Sequence, residues 1–232
     1  AEEQLEELVR EHGLLDYYDD VAIEALQIAS SDFRAGKLSY SDAERFRSNF
    51  EELVDFAQEL DQKEEAKHQP ASTEQALAPG TQFLCLSGRG PFDGLAATML
   101  SQLAERDGLA ATSIADAFSG QQVSVLESSH IALICILSLD TRTLPTNARL
   151  LIRRLKQRNP GARIVFGLVQ RSAVAFQEKL SKIGVDDYAS SLKELLEMAQ
   201  APRGRPESAR SAALPHSASN TEGQHFAAGG AR

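Results

Sequence analysis

A chain of 232 residues and 25.2 kDa, 42% hydrophobic and 25% charged, has room for one large domain or two small ones and the composition of a soluble protein. Two cysteines exclude a disulfide scaffold and a zinc ribbon, and a formal charge of −9 argues against a nucleic-acid partner, which needs clustered Lys and Arg to displace phosphate counterions. No stretch reaches the roughly eighteen apolar residues that span a bilayer, and no signal peptide is recognisable.

Charge is unevenly distributed: residues 1 to 70 hold 19 acidic and 7 basic side chains, residues 71 to 200 hold 12 and 13. The expected organisation is an acidic helical module over 1–66, a linker over 67–80 containing Pro70, Pro79 and Gly80, an α/β domain over 81–200 and a disordered tail over 201–232, too poor in apolar clusters to offset its ordering entropy. In the first module Leu5, Leu8 and Val9 recur at helical spacing. Beyond Gly13 a second helix carries Tyr17, Val21, Leu26, Ile28 and Phe33, and Gly36 ends it. Ser39 or Ser41 can cap a third helix, with Glu44 at capping-box distance from Ser41 and a stripe of Phe46, Phe50, Leu53, Val54, Ala57 and Leu60. A helical hairpin or small bundle follows.

The second module alternates. Phe83–Ser87, Ala110–Ile114, His130–Leu139, Arg163–Leu168 and Asp187–Ala189 read as strands; Leu95–Leu103, Gln121–Leu126, Ala148–Gln157, Ala173–Ile183 and Leu192–Met198 read as helices. Ile131, Leu133, Ile134, Ile136 and Leu137 are apolar at both parities, as a central parallel strand buried on two faces must be. Five β-α units predict an α/β fold with a flavodoxin-like five-stranded parallel sheet in the order 2-1-3-4-5.

Ligands of such sheets gather beyond the strand ends where the order reverses. The candidate pocket therefore comprises Ser87, Gly88, Arg89 and Asp93 after the first strand, and Ser138, Asp140 and Thr141 after the third. Gly88, Gly90 and Gly94 approximate a dinucleotide fingerprint, but the last interval is one residue too long, and tight-turn glycines are the simpler reading. Cys85 and Cys135 read as core thiols. His12, His68, His130, His216 and His225 have no ligand spacing, so neither a metal nor a cofactor is expected. No nucleophile-elbow or triad pattern is present, which leaves a small α/β enzyme acting through Asp93 or Asp140 as the lowest-ranked reading. Arg149, Arg153, Arg154, Lys156 and Arg158 make a basic helix face, to be solvated, set against the acidic module, or laid on anionic lipid.

Asp140 stands where a response-regulator receiver domain carries its phosphorylated aspartate, but the acidic pair and the lysine of a receiver are replaced by Ser87-Gly88-Arg89 and Ala189-Ser190-Ser191. The second module also resembles the cobalamin-binding domain: Gly94, Ser138 and Gly167 match its frame. Arg89 and Pro91 stand at its aspartate and histidine places and Leu168 at its second glycine, so the resemblance implies a shared fold without the cobalt ligand. Across residues 1 to 200 the chain is similar to the cytosolic region that follows the last membrane helix in some bacterial permeases of the autoinducer-2 exporter family. The motif is Leu14 to Leu26 with Ala29, Asp32, Arg34, Gly36 and Leu38; Asp20 and Glu24 replace a glutamate and a proline.

That resemblance, with the Ala rather than Met at position 1, implies a segment of a larger transporter. Its place would be the cytoplasmic side of the inner membrane, with the membrane helices of the same permease as partners and a non-enzymatic role in regulation or subunit association. A homo-oligomer and an unidentified small molecule are further partners this placement allows. The alternative is a free cytosolic sensor with an atypical corrinoid or nucleotide site.

Overall fold

The computed structural model describes residues 2–68, 82–115, 131–140, 144, 147–169 and 174–200. The expected helix over 121–126, most of the linker, Thr141 and the tail lie outside them. Five strands, β1 (Gln82–Ser87), β2 (Ala110–Ile114), β3 (Ile131–Leu137), β4 (Arg163–Gly167) and β5 (Asp187–Tyr188), form one parallel sheet in the order β2-β1-β3-β4-β5. This is the expected flavodoxin-like α/β arrangement. Register puts Cys85 opposite Cys135 and Cys135 opposite Val165, so one face of the sheet is lined by Phe83, Cys85, Leu133, Cys135, Leu137 and Val165. The alternate residues, Leu84, Leu86, Ile134, Ile136, Ile164 and Phe166, line the other.

Helices α5 (Ala148–Arg158) and α6 (Val174–Ile183) cover the second face with Leu151, Ile152, Leu155, Phe176 and Leu180. The first face is covered by α4 (Asp93–Arg106) and α7 (Leu192–Gln200), and outside them lies the arm: α1 (Glu2–Asp16), a π-helical stretch (Tyr17–Ala22), α2 (Ile23–Arg34) and α3 (Tyr40–His68). Helix α4 explains the layering. In its Leu-Ala-Ala-Thr-Met-Leu-Ser-Gln-Leu-Ala core even the polar stripe of Thr98, Ser101 and Gln102 is turned toward protein, and every residue from Leu95 to Ala104 except Thr98 is buried, because the sheet lies on one side of it and the arm on the other. Phe92, fully buried, meets Phe46 edge-on at 5.2 Å and Phe33 at 6.4 Å between ring centroids. Arm and sheet thus share one apolar cluster.

Polar pins cross the same boundary. The Tyr18 hydroxyl donates to Gln102 Oε1 at 2.7 Å, and Gln102 Nε2 donates to Gln58 Oε1 at 2.9 Å. The Asp19 carboxylate accepts from the backbone amides of Leu192 at 2.7 Å and Lys193 at 3.0 Å, which satisfies two of the four open donors at the start of α7.

Two local expectations are corrected, and one of three alternatives for the basic helix drops out. Val21 and Ile28 do not join the buried stripe but are 42% and 58% exposed. The π-helical turn, bonded i to i+5, places an extra residue in the turn so that Tyr17 and Tyr18 both face inward and Val21 turns out. Of the two candidate serines, Ser39 is the cap, accepting from the Asp42 amide at 3.1 Å and donating to the Asp42 carboxylate at 2.6 Å, so the box closes on Asp42 rather than Glu44. Finally, the basic face of α5 does not meet the acidic helices of its own chain, because the sheet and α4 stand between them.

Candidate functional site

The rim above the carboxyl ends of β1 and β3 is built around Asp93. As the first residue of α4 it points back across the strand ends, with only 1% of its surface exposed. One carboxylate oxygen accepts from the Gly90 amide at 2.8 Å and the other from the Leu139 amide at 3.0 Å, so a single side chain ties the loop after β1 to the loop after β3. Burial raises its pKa, and the nearby Asp140 adds to this. The amides of Leu139 and Gly90 and the Ser138 hydroxyl pull in the opposite direction. A Cβ on Gly88 would stand 2.2 Å from Asp93 Oδ2 and 2.9 Å from the Leu137 carbonyl; one on Gly90 would stand 2.8 Å from Asp93 Oδ1. These two glycines admit a carboxylate of the same chain, which is a sufficient reason for them without a phosphate.

Asp140 sits just beyond and pairs with Arg34, the last residue of α2, at 2.5 Å. The Ser138 hydroxyl donates to the Asp140 carbonyl at 3.2 Å, closing the turn. The crevice between the first and third strands is therefore bridged by Asp93, and Arg34 of the arm pairs with Asp140 on its β3 side. At the end of β4, Leu168 holds a φ of 62° while 1% exposed, a left-handed conformation that costs a leucine on the order of 1–2 kcal/mol.

Open space occurs on the other side of the β1 loop. A cleft of about 420 Å³ is walled by Ser87, Gly88, Arg89, Gly90, Pro91, Gly94, Leu95, Thr98 and Ala115 from the sheet module, and by Arg47 and Glu51 from α3. Arg47 is held by Glu51 at 2.8 Å and Glu44 at 3.1 Å. Arg89 is exposed at the mouth and forms no ion pair among the described residues. The Arg89 guanidinium, a second guanidinium already held by Glu44 and Glu51, and one polar loop suit a small polar or anionic ligand better than an apolar one.

Of the sequence-derived residues, Ser87, Gly88 and Arg89 line the cleft. Asp93, Ser138 and Asp140 cluster on the β3 side, and Thr141 is outside the described residues. Sequence reasoning missed Arg47, Glu51 and Arg34, which come from the arm; nothing local in their surroundings marks them, since each is one charge among many on a helix surface. Cys85 and Cys135 are buried on neighbouring strands with their thiol pKa values raised by burial, which keeps them protonated and inert. Among the described residues no helix is long and apolar enough to cross a membrane. No protein-family model and no curated protein sequence matches the chain.

Proposed function

We propose that this chain is a non-enzymatic regulatory or association domain, the cytosolic part of an inner-membrane permease, in which a small polar or anionic ligand biases how the helical arm docks on the sheet. The observation that carries the regulatory part is the construction of the cleft: Arg47 and Glu51 belong to the arm and Arg89 to the sheet module. A molecule touching both walls binds the docked state and not a displaced one, and so shifts the population toward docking by its differential affinity. The rim itself is occupied by contacts of the chain, with Asp93 satisfied by two amides and Asp140 by Arg34, which supports a binding role over acid-base chemistry at those carboxylates. Attachment to a permease rests on the Leu14 to Leu38 resemblance, and the cytoplasmic side of the membrane follows from it.

Hydrogen exchange of the chain against a panel of phosphorylated and carboxylated metabolites tests the mechanism. A ligand of this cleft slows exchange in residues 44–54 and 87–94 together, and Arg89→Ala removes the effect. Unchanged exchange across the panel, or protection of the loop without α3, refutes it. The placement is tested separately by the reading frame of the gene, which must encode several hydrophobic spans joined to this segment. A visible or near-ultraviolet cofactor band in the purified protein would favour the free corrinoid or nucleotide sensor instead.

A further inference from the structure

A basic surface on α5 and an acidic one on α1 lie on different sides of the sheet. Helix α5 turns Ala148, Leu151, Ile152 and Leu155 to the sheet, and at about 100° per residue the opposite side presents Arg149, Leu150, Arg153 and Arg154, all exposed. The first turn of α5 has no acidic residue, and its whole sequence, ARLLIRRLKQR, contains none. Lys156 at its flank is engaged by Asp186 at 2.6 Å, whereas Arg149, Arg153 and Arg154 form no ion pair among the described residues. Leu150, 49% exposed, stands among them as an apolar contact point.

The complement is in the arm. Leu5 and Val9 turn one side of α1 into the core, so Glu3, Glu7 and Glu11, four residues apart and exposed, form a ridge along the outer side, where the one cation of the helix, Arg10, is held by Glu6 at 2.6 Å. Successive members of that ridge, like Arg149 and Arg153, are offset by about 6 Å along their helix axis, so the two rows of charge have the same repeat. They cannot meet within one molecule, because the sheet and α4 lie between α5 and the arm.

We propose that the Arg149–Arg153–Arg154 face of α5 docks on the Glu3–Glu7–Glu11 ridge of a second copy of this chain. The contact joins different surfaces of the two copies, so it leaves one of each kind free and propagates head to tail into a ring or a filament. It uses neither the cleft nor the arm–sheet junction and holds whether or not the regulatory reading does.

Sedimentation velocity of the whole chain decides it. In about 50 mM salt the average mass rises between about 10 and 300 µM protein, and in about 500 mM salt, where the screening length is a few ångströms, the association constant falls at least tenfold. Arg153→Glu/Arg154→Glu and Glu3→Arg/Glu7→Arg each sediment as single chains, and an equimolar mixture of the two reassociates, because each retains the surface the other needs. A single-chain mass for the wild type at low salt, association insensitive to salt, self-association of either variant alone, or a mixture that stays dissociated overturns the proposal. So does arginine-dependent binding to phosphatidylserine vesicles by a chain that remains monomeric, which would make lipid the partner.

Discussion

Arg34 and Asp140 are joined by an ion pair of 2.5 Å that links the last turn of α2 to the loop after β3, with their side chains 33% and 25% exposed. This contact reaches from the outermost helices to the strand ends, where an open parallel sheet would otherwise receive a ligand. Its partial exposure keeps its energy modest.

Replacing either partner should therefore cost little stability and change local opening. A double-mutant cycle on Arg34→Ala and Asp140→Asn is expected to give a coupling of about 0.5–1 kcal/mol by chemical denaturation, as for partly solvated pairs. Hydrogen exchange near Ser31–Gly36 should accelerate in both variants. A coupling near zero with unchanged exchange would mean that the pair is incidental to docking.

Asp19 caps α7 from the arm of the same chain, since its two oxygens take the Leu192 and Lys193 amides across a separation of 173 residues or more. Burial raises its pKa, against the pull of those two bonds. Asp19→Ala should destabilise the chain by about 1 kcal/mol, the usual cost of a lost helix cap, and exchange at the start of α7 should rise with it. Protection of Leu192 and Lys193 that survives the substitution would show that another group caps the helix.

Asp93→Asn should cost about 1–3 kcal/mol, because an amide offers one acceptor where two backbone N–H groups need two. The pH dependence has a definite sign. The folded-state pKa lies above the ordinary 3.8, so the folded chain binds this proton more tightly than the unfolded one. The stability contributed by the group is accordingly lost as pH rises from 3.8 through the folded value. The stability gap between wild type and Asp93→Asn should narrow over that interval and stay constant above it. A gap that widens with pH would mean that the amides outweigh burial and depress the pKa.

Gly88, in the loop after β1, and Gly94, in the first turn of α4, should respond oppositely to alanine. Gly88→Ala drives a methyl into Asp93 and the Leu137 carbonyl, an overpacking worth about 1–3 kcal/mol in lost stability. Gly94, in the first turn of α4, has nothing within 4 Å of an added Cβ, so Gly94→Ala should leave thermal stability unchanged or raise it by up to about 1 kcal/mol. Equal losses at both positions would argue against the Asp93 bridge as the reason for the loop's shape.

The strands and their order could be read from the chain itself, because burial on one or both faces leaves a period in the residues that follow one another. Ile131–Leu137 shows both parities apolar and is the central strand; the Ala148–Arg158 helix shows one apolar stripe and covers a sheet face. Strand order pointed to the loops after β1 and β3, but only the β1 loop lines the cleft, because the Asp93 carboxylate ties the two loops together where the order reverses. Only the folded chain could reveal that Asp93 bridges Gly90 and Leu139, that Arg34 covers Asp140, or that α3 supplies Arg47 and Glu51 to the cleft. Periodicity records that a side chain is buried and on which side, whereas a hydrogen bond or ion pair between distant segments depends on how whole layers stack, and no local pattern encodes that.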